Sequence, residues 1–331
     1  MSNTINIGNI TVSKFYLGGS SDVMIFLGTT KLYPNAIKDY LRTVARGSGT
    51  ITLTIGSAVT TSQMTSIAYS TNGTSWSTLN NADNTAVAAT VNVASGDTVY
   101  WKGIGVQTAV NAPSYRGVDQ ATIFSSTCDY DVEGDAMSML YDDNFEDEEF
   151  DSTSTYHLCG LFYNDTHLIN ASGMTLPALT VYANTYNDMF NGCSGLLAAP
   201  GLPATTLGES CYKRMFNGCS NLLTAPELPA TTLAEQCYHT MFNGCASLTT
   251  APDLSAITLV RQCYQQMFVG CTSLNYIKCL ATDISANGCT TNWVNGVASS
   301  GAFIKHPNMT SLPSGVNGIP KGWTVEDYVN T

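Results

Sequence analysis

Charge is scarce in this chain. Only 11% of its 331 residues are charged, and 13 Lys and Arg face 25 Asp and Glu, for a net charge of −12. That balance leaves no broad basic surface for a phosphate backbone, so no nucleic-acid partner is expected. Long apolar runs are missing as well. No stretch reaches the roughly 18 uninterrupted apolar residues of a spanning helix, and membrane insertion is not expected. The opening MSNTINIGNITVSKFYLGG lacks a basic start followed by an apolar core, so the chain reads as unexported. Histidine is rare: His157, His167, His239 and His306 share no ligand spacing with the cysteines or with one another. No CxxC occurs, which disfavours zinc. No nucleophile motif and no glycine-rich phosphate loop is present either, so neither catalytic residues, nor a metal, nor a cofactor is expected, and the chain does not read as an enzyme.

What the chain does have is a repeat. CYKRMFNGCSNLLTAPELPATTL at 211–233 recurs in close variants with a period of 26. Phe190, Phe216, Phe242 and Phe268 keep that spacing, as do Met189, Met215, Met241 and Met267. The register extends to Gly192, Gly218, Gly244 and Gly270, and to Leu176, Leu202, Leu228, Leu254 and Leu280. A degenerate earlier copy, LFYNDTHL at 161–168, fits if two residues are inserted before Phe190. Self-similarity of 20–29 residues marks a solenoid in which each unit buries its apolar face only against its neighbours. Within one unit CYxxMFxGCxxL reads as a short helical turn with Met and Phe inward, and TAPELPATTL as an extended segment held by its prolines.

Eleven cysteines admit three readings: disulfides, a metal site, or small packed side chains. The repeat orders most of them into two ladders, Cys193, Cys219, Cys245 and Cys271 in one, and Cys211, Cys237 and Cys263 in the other. Stacked turns lie roughly 4.8 Å apart with parallel Cα–Cβ bonds, whereas a disulfide draws its Cβ atoms to about 3.8 Å. Free, buried thiols fit that geometry and a reducing compartment. The positions that differ between copies, Lys213-Arg214, His239-Thr240 and Gln265-Gln266, fall at one place in successive units and are expected to line an outward binding face.

The motifs MFNGCSNL and APELPATTL resemble the BspA-like leucine-rich repeats of surface proteins in gut Bacteroidetes and in the phages that infect them, over about 160–290. The resemblance implies a display scaffold for adhesion and carries no catalytic residues. YIKCLATDISANGCTTNWVNGV, with Trp293, resembles the terminal cap of such arrays, and IPKGWTVED a closing strand.

Ahead of the repeat the pattern is β. Tyr16-Leu17-Gly18 and Phe26-Leu27-Gly28 suggest two short strands, too small to be stable alone. Alternate apolar residues Ile5, Ile7, Ile10 and Val12 need a partner, so pairing with another chain is expected. This YLG opening is similar to N-terminal segments of phage virion proteins. From 46 to about 132, TITLTI, IAYSTNGTSWSTL with its Asn72-Gly73 turn, and ATVNVASGDTVYWKGIG read as a small antiparallel sandwich, and the last two resemble Ig-like modules that precede such repeats. Trp76 and Trp101 fit a sandwich core better than a sugar-stacking pair. Asp129, Asp131, Glu133 and Gly134 open like an EF-hand loop, but its twelfth position is Leu140 rather than Glu, which disfavours calcium. The carboxylates from Asp142 to Asp151 read as a solvated junction.

The expected class is therefore mainly β with short helices. Its parts are an attachment or oligomerisation segment (1–45), an Ig-like sandwich (46–135), an acidic junction (136–158), a leucine-rich solenoid (159–290) and a cap (291–331). Sandwich and solenoid are expected to unfold separately. The implied function is that of a virion protein of a tailed phage, with a crAss-like one among the candidates: a head fibre, capsid decoration or tail appendage. It would be assembled in host cytoplasm, displayed on the particle and bound to other virion proteins through its N-terminal segment, as a homo-oligomer with a trimer favoured. Its solenoid would adhere to a host glycan or surface protein. A bacterial cell-surface adhesin and a polysaccharide hydrolase with acids brought together by folding are the alternatives.

Overall fold

The computed structural model describes residues 38–55, 66–80, 86–104, 122–146, 148–150, 152, 156–310 and 312–329, together with the backbone of five strands within 5–33. The protein is mainly β, with one short α-helix among the described residues. It divides into two compact units, Met1–Asp39 and Tyr40–Thr331.

In the first unit β1 (Ile5–Ile7) pairs antiparallel with β2 (Ile10–Val12). β3 (Phe15–Leu17), β4 (Val23–Leu27) and β5 (Thr30–Tyr33) form an antiparallel meander. The two strands expected around Tyr16 and Phe26 are β3 and β4. The side chains of Ile5, Ile7, Ile10 and Val12, on which the expectation of a partner rests, lie outside what is described.

The second unit opens with β6 (Leu41–Ala45), β7 (Gly49–Ile55), β8 (Ser66–Ser70), β9 (Ser77–Asn80), β10 (Val87–Val93), β11 (Thr98–Ile104), β12 (Ile123–Ser126) and β13 (Tyr130–Asp135). Alternation sorts their side chains: β7 buries Ile51, Leu53 and Ile55, and β13 buries Tyr130 and Val132. The strands form a three-stranded sheet, β10-β7-β12, and a six-stranded one, β14-β13-β6-β11-β8-β9, completed by β14 (Leu168–Thr175). Trp101 of the larger sheet meets Phe124 of the smaller edge-on at 5.2 Å. Trp101 is fully buried and its indole N–H donates to Thr43 Oγ1, so it belongs to the core.

Three expectations change here. Residues 41–45 are not part of the N-terminal segment, because β6 pairs with both β11 and β13. Asn72-Gly73 is not a two-residue turn: Tyr69 pairs with Ser77, and the loop is held by Ser70 Oγ and Asn72 Oδ1, which accept from the N–H groups of Gly73, Thr74 and Ser75. A turn at Ser95-Gly96-Asp97, closed by Asp97 N–H donating to Ala94 O at 3.0 Å, carries the chain from β10 in one sheet to β11 in the other. The acidic stretch is more than a solvated junction: Glu146, Glu148 and Glu149 are exposed as expected, but the apolar residues interleaved with the acids go inside. Met137, Met139, Phe145, Phe150 and Leu158 are buried, and α1 (Ser138–Tyr141) packs with Ser138 Oγ accepting from Leu41 N–H.

Asp131 and Glu133 stand on β13, paired to Arg46 and Arg42, and not on a calcium-binding loop. β13 also pairs in parallel with β14, so the sheet runs directly into the repeat.

The repeats stack. In one unit Cys211-Tyr212, Met215-Phe216 and Cys219 are buried, while Lys213-Arg214 and Asn217-Gly218 face outward and are half-buried. The backbone explains this two-in, two-out rhythm. N–H groups of Cys211, Lys213, Met215, Asn217 and Cys219 donate three residues back, to Gly208, Ser210, Tyr212, Arg214 and Phe216. Those of Ser210, Tyr212, Arg214, Phe216 and Gly218 donate onward, to Glu235, Cys237, His239, Met241 and Asn243 of the next unit. Such alternation requires a left-handed residue at every fourth position, here Ser210 (φ 55°), Arg214 (φ 56°) and Gly218 (φ 77°). The expected helical turn is therefore a ribbon of overlapping turns, because a helix would keep all of its N–H groups to itself.

The early copy is confirmed with its two-residue insertion: Tyr156, Gly160 and Asn164 are left-handed 28 residues before Asn184, Asp188 and Gly192. The stack also continues past 290, as a Cβ built on Gly296 would lie 3.5 Å from Gly270 Cα. Leu280 leaves the leucine register. Leu254 bridges to Cys279, which is buried in its place, while Leu280 is half-buried.

Short parallel pairs join the extended segments, β15 (Thr180–Val181) with β16 (Thr206–Leu207). The unit ends in a parallel sheet of β17 (Tyr276–Cys279), β18 (Ala302–Lys305) and β19 (Thr324–Asp327), the last being the expected closing strand.

Within the stack the expected ladders are in place. Phe124, Phe162, Phe190, Phe216, Phe242 and Phe268 form one column of rings at successive spacings of 5.0, 5.3, 5.5, 5.6 and 5.8 Å. Its first member is on β12, so the column starts between the two sheets. All eleven cysteines are buried. The thiols of Cys193, Cys219, Cys245 and Cys271 donate at 2.9–3.2 Å to the carbonyls of Phe162, Phe190, Phe216 and Phe242, each in the preceding unit. Cys211, Cys237 and Cys263 line up behind, followed by Cys289. Burial pushes the Cys263 and Cys271 thiols up to about 12.

Two outcomes follow from this core. Phe162→Ala, which removes the ring between Phe124 and Phe190, should cost about 3–5 kcal/mol. It should shift tryptophan fluorescence and far-UV circular dichroism midpoints together, because sheets and stack share one core; a shift in one signal alone would contradict this. Iodoacetamide at pH 8 should leave Cys193, Cys219, Cys245 and Cys271 unmodified in the folded protein and alkylate all four in denaturant, since the buried thiolate is suppressed.

Candidate functional site

The stack aligns the outward pairs into a strip. Lys213-Arg214, His239-Thr240 and Gln265-Gln266 are continuous with Asn187-Asp188 before them and Thr291-Asn292 after. The second residue of each pair is left-handed, with φ between 54° and 59°. Its N–H reaches the first residue of the next pair: Asp188 to Lys213, Arg214 to His239, Thr240 to Gln265 and Gln266 to Thr291, at 2.9–3.0 Å. The strip is thus brought together as expected, but it is recessed. Thr240 is buried and the other five expected residues are half-buried.

Much of its charge is already engaged. Asp188 is fully buried and holds Arg214 by two bonds, Nε to Oδ1 at 2.8 Å and Nη2 to Oδ2 at 2.7 Å. Asn191 Nδ2 donates to the same carboxylate at 2.6 Å. A buried carboxylate needs such partners, so Arg214 acts as a clamp between two units. Lys213 Nζ donates to Gln236 Oε1 at 2.8 Å, and burial, with Arg214 beside it, holds its pKa below the usual range.

His239 Nδ1 lies 2.7 Å from Thr240 Oγ1. Burial first, then Lys213 and Arg214, lower its pKa to about 4, so the ring is neutral at neutral pH. The strip therefore offers amides, an imidazole, a hydroxyl and one ammonium, a set suited to hydrogen bonding with a polar, uncharged surface.

Four residues earlier runs a second column that the sequence reading missed: Glu209-Ser210, Glu235-Gln236 and Arg261-Gln262. Gln236 Nε2 donates to Gln262 Oε1 at 2.8 Å, and Arg261 pairs with Glu235 across units. The signal was present, since these pairs keep the 26-residue period. Without the four-residue rhythm of the turns, however, nothing marked them as neighbours of the first column.

Elsewhere, Lys102 sits over the Trp76 ring at 4.5 Å and pairs with Asp142 and Asp143 at 2.9 and 2.7 Å. It closes a cleft of about 210 Å³ that includes Ser66 and Thr78. The protein's own cation thus covers a face of Trp76, and Tyr40 meets the ring edge-on at 4.9 Å.

No protein-family model, curated protein or solved structure matches this chain.

His239 gives a test with a definite sign. In the unfolded chain it binds a proton near 6.5, whereas in the folded protein it does so only near 4. Between those values the unfolded state carries the extra proton, so stability should fall as pH falls from about 6.5 towards 4. His239→Gln, the residue type that occupies Gln265 in the next unit, should lose less melting temperature between pH 7 and pH 4.5 than the parent. Equal losses would show that His239 is not the group responsible.

Proposed function

We propose that the protein is a leucine-rich-repeat display scaffold of the BspA-like type, carried on the particle of a tailed phage of gut Bacteroidetes as a head fibre, capsid decoration or tail appendage. It adheres to host-surface glycan or protein through the strip containing Lys213, His239 and Gln265. The two-sheet module acts as an Ig-like platform and the stack as a stiff solenoid. Residues Met1–Asp39 attach the protein to other virion proteins and to further copies of itself. A cell-surface adhesin would share the adhesion step and differ in where the protein resides.

The observation that carries this reading is the contrast between inside and outside in the stacked units. Their interiors repeat almost residue for residue, while the outward pairs change from Lys-Arg to His-Thr to Gln-Gln at one place. Such a surface can change its contacts without disturbing what holds it.

Antibody-gold labelling or cryo-EM of purified particles should place the protein on the particle surface. The triple variant Lys213→Ser, His239→Ser, Gln265→Ser spares the Arg214–Asp188 clamp and should reduce binding of the full-length protein to host cells by about tenfold, a loss of about 1.4 kcal/mol. Unchanged binding would move the adhesive surface elsewhere.

A further inference from the structure

One end of the stack leaves a bond unmade. In five successive units the N–H at the glycine position donates to a carbonyl of the next: Asn164 to Asn191, Gly192 to Asn217, Gly218 to Asn243, Gly244 to Val269 and Gly270 to Asn295, all at 2.7–2.8 Å. Gly296 is the sixth of the series. Its φ of 80° lies within the range of the other glycines, so its N–H points onward in the same sense. Among the described residues no carbonyl meets it, although the two preceding donors of the ribbon are closed by the following loop, Asn292 N–H by Asn317 Oδ1 and Val294 N–H by Val316 O.

Gly296 opens instead into a pocket of about 530 Å³. Its walls include Val294, Val297, Pro313 and Val316, with Lys321 at the rim. Val316 is 43% exposed, a large aliphatic side chain left to solvent beside the open donor. In every earlier unit the partner of that donor is a peptide oxygen.

We propose that this pocket captures the C-terminal carboxylate of a peptide ending in an aliphatic residue. One carboxylate oxygen takes the place of the missing carbonyl on Gly296 N–H, Lys321 balances the charge, and the terminal side chain lies among the valines and prolines. A sugar acid would supply the same carboxylate, but no aromatic ring lines the pocket to stack on a sugar face, and Val294, Val297, Pro313, Val316 and Pro320 outnumber Ser299, Ser314 and Asn317 along its walls.

The test uses the full-length protein labelled with 15N-glycine, with the Gly296 resonance assigned by its loss in Gly296→Asn, a residue that tolerates the left-handed backbone. The probes are acetyl-Gly-Ser-Ala-Val with a free carboxylate, the same peptide amidated, and methyl galacturonoside. The free acid should move the Gly296 amide proton downfield in a saturable way and bind about tenfold more tightly than the amidated peptide. Lys321→Gln should weaken it several-fold while leaving the melting temperature unchanged. Any of three results overturns the proposal: no shift at Gly296, equal binding of the acid and amidated peptides, or tighter binding of the sugar acid.

Discussion

Everything in the stack depends on the division of the backbone N–H groups between two destinations. One set closes its own turn three residues back and the alternate set reaches the next unit, so the ribbon's N–H groups find acceptors without a regular strand or helix. This division imposes the left-handed residue at every fourth position. It also sets the two-in, two-out rhythm, which places Phe over Phe inside and polar pair over polar pair outside. The cysteines complete the scheme. Each Phe carbonyl already accepts a local N–H, and the thiol of the following unit takes its remaining lone pair, which neither a larger apolar side chain nor alanine could do.

The periodic part of this was open to reading. Phe, Met, Cys and Gly at a spacing of 26 pointed to stacked units, and LFYNDTHL pointed to the offset early copy. What escaped is whatever the period does not encode. The turn conformation escaped because Ser210, Arg214, Gln236 and Thr240 are not residues that announce a left-handed backbone. Continuity between the sheets and the stack escaped because Phe124 belongs to no repeat, and only its ring on Phe162 reveals it as the start of the column. In the acidic stretch the exposed charges were legible, but not the packing set by Met137, Met139, Phe145 and Phe150 between them. At Leu280 a one-residue shift moved Cys279 inward, and periodicity extrapolated through a break has no means of seeing that. For the outward strip the sequence located the residues but not their condition. Arg214 is tied to Asp188, His239 is held neutral, and a row of apparent cations presents little free charge.

The same clamp illustrates how a stack can carry polar groups in its flank without weakening it. Asp188 and Arg214 are 26 residues apart in sequence yet bond in two places, because the backbone ladder has already fixed their separation. The cost of ordering two side chains is thereby reduced before they meet. Gln236 with Gln262, and Asn217 with Asn191 at 2.8 Å, use the same arrangement without charge.

Because each unit presents at its near edge the carbonyl acceptors that the N–H groups at the far edge of the preceding unit require, the number of units is not set by the bonding. A duplication or deletion of 26 residues between Gly192 and Gly270 would join edges that already match. Near-identical peptide stretches such as MFNGCSNL and MFNGCASL mark the points at which an in-frame exchange would keep the register. The reach of this protein, and the number of different side-chain pairs it can show, can therefore change in single genetic steps that leave both ends intact.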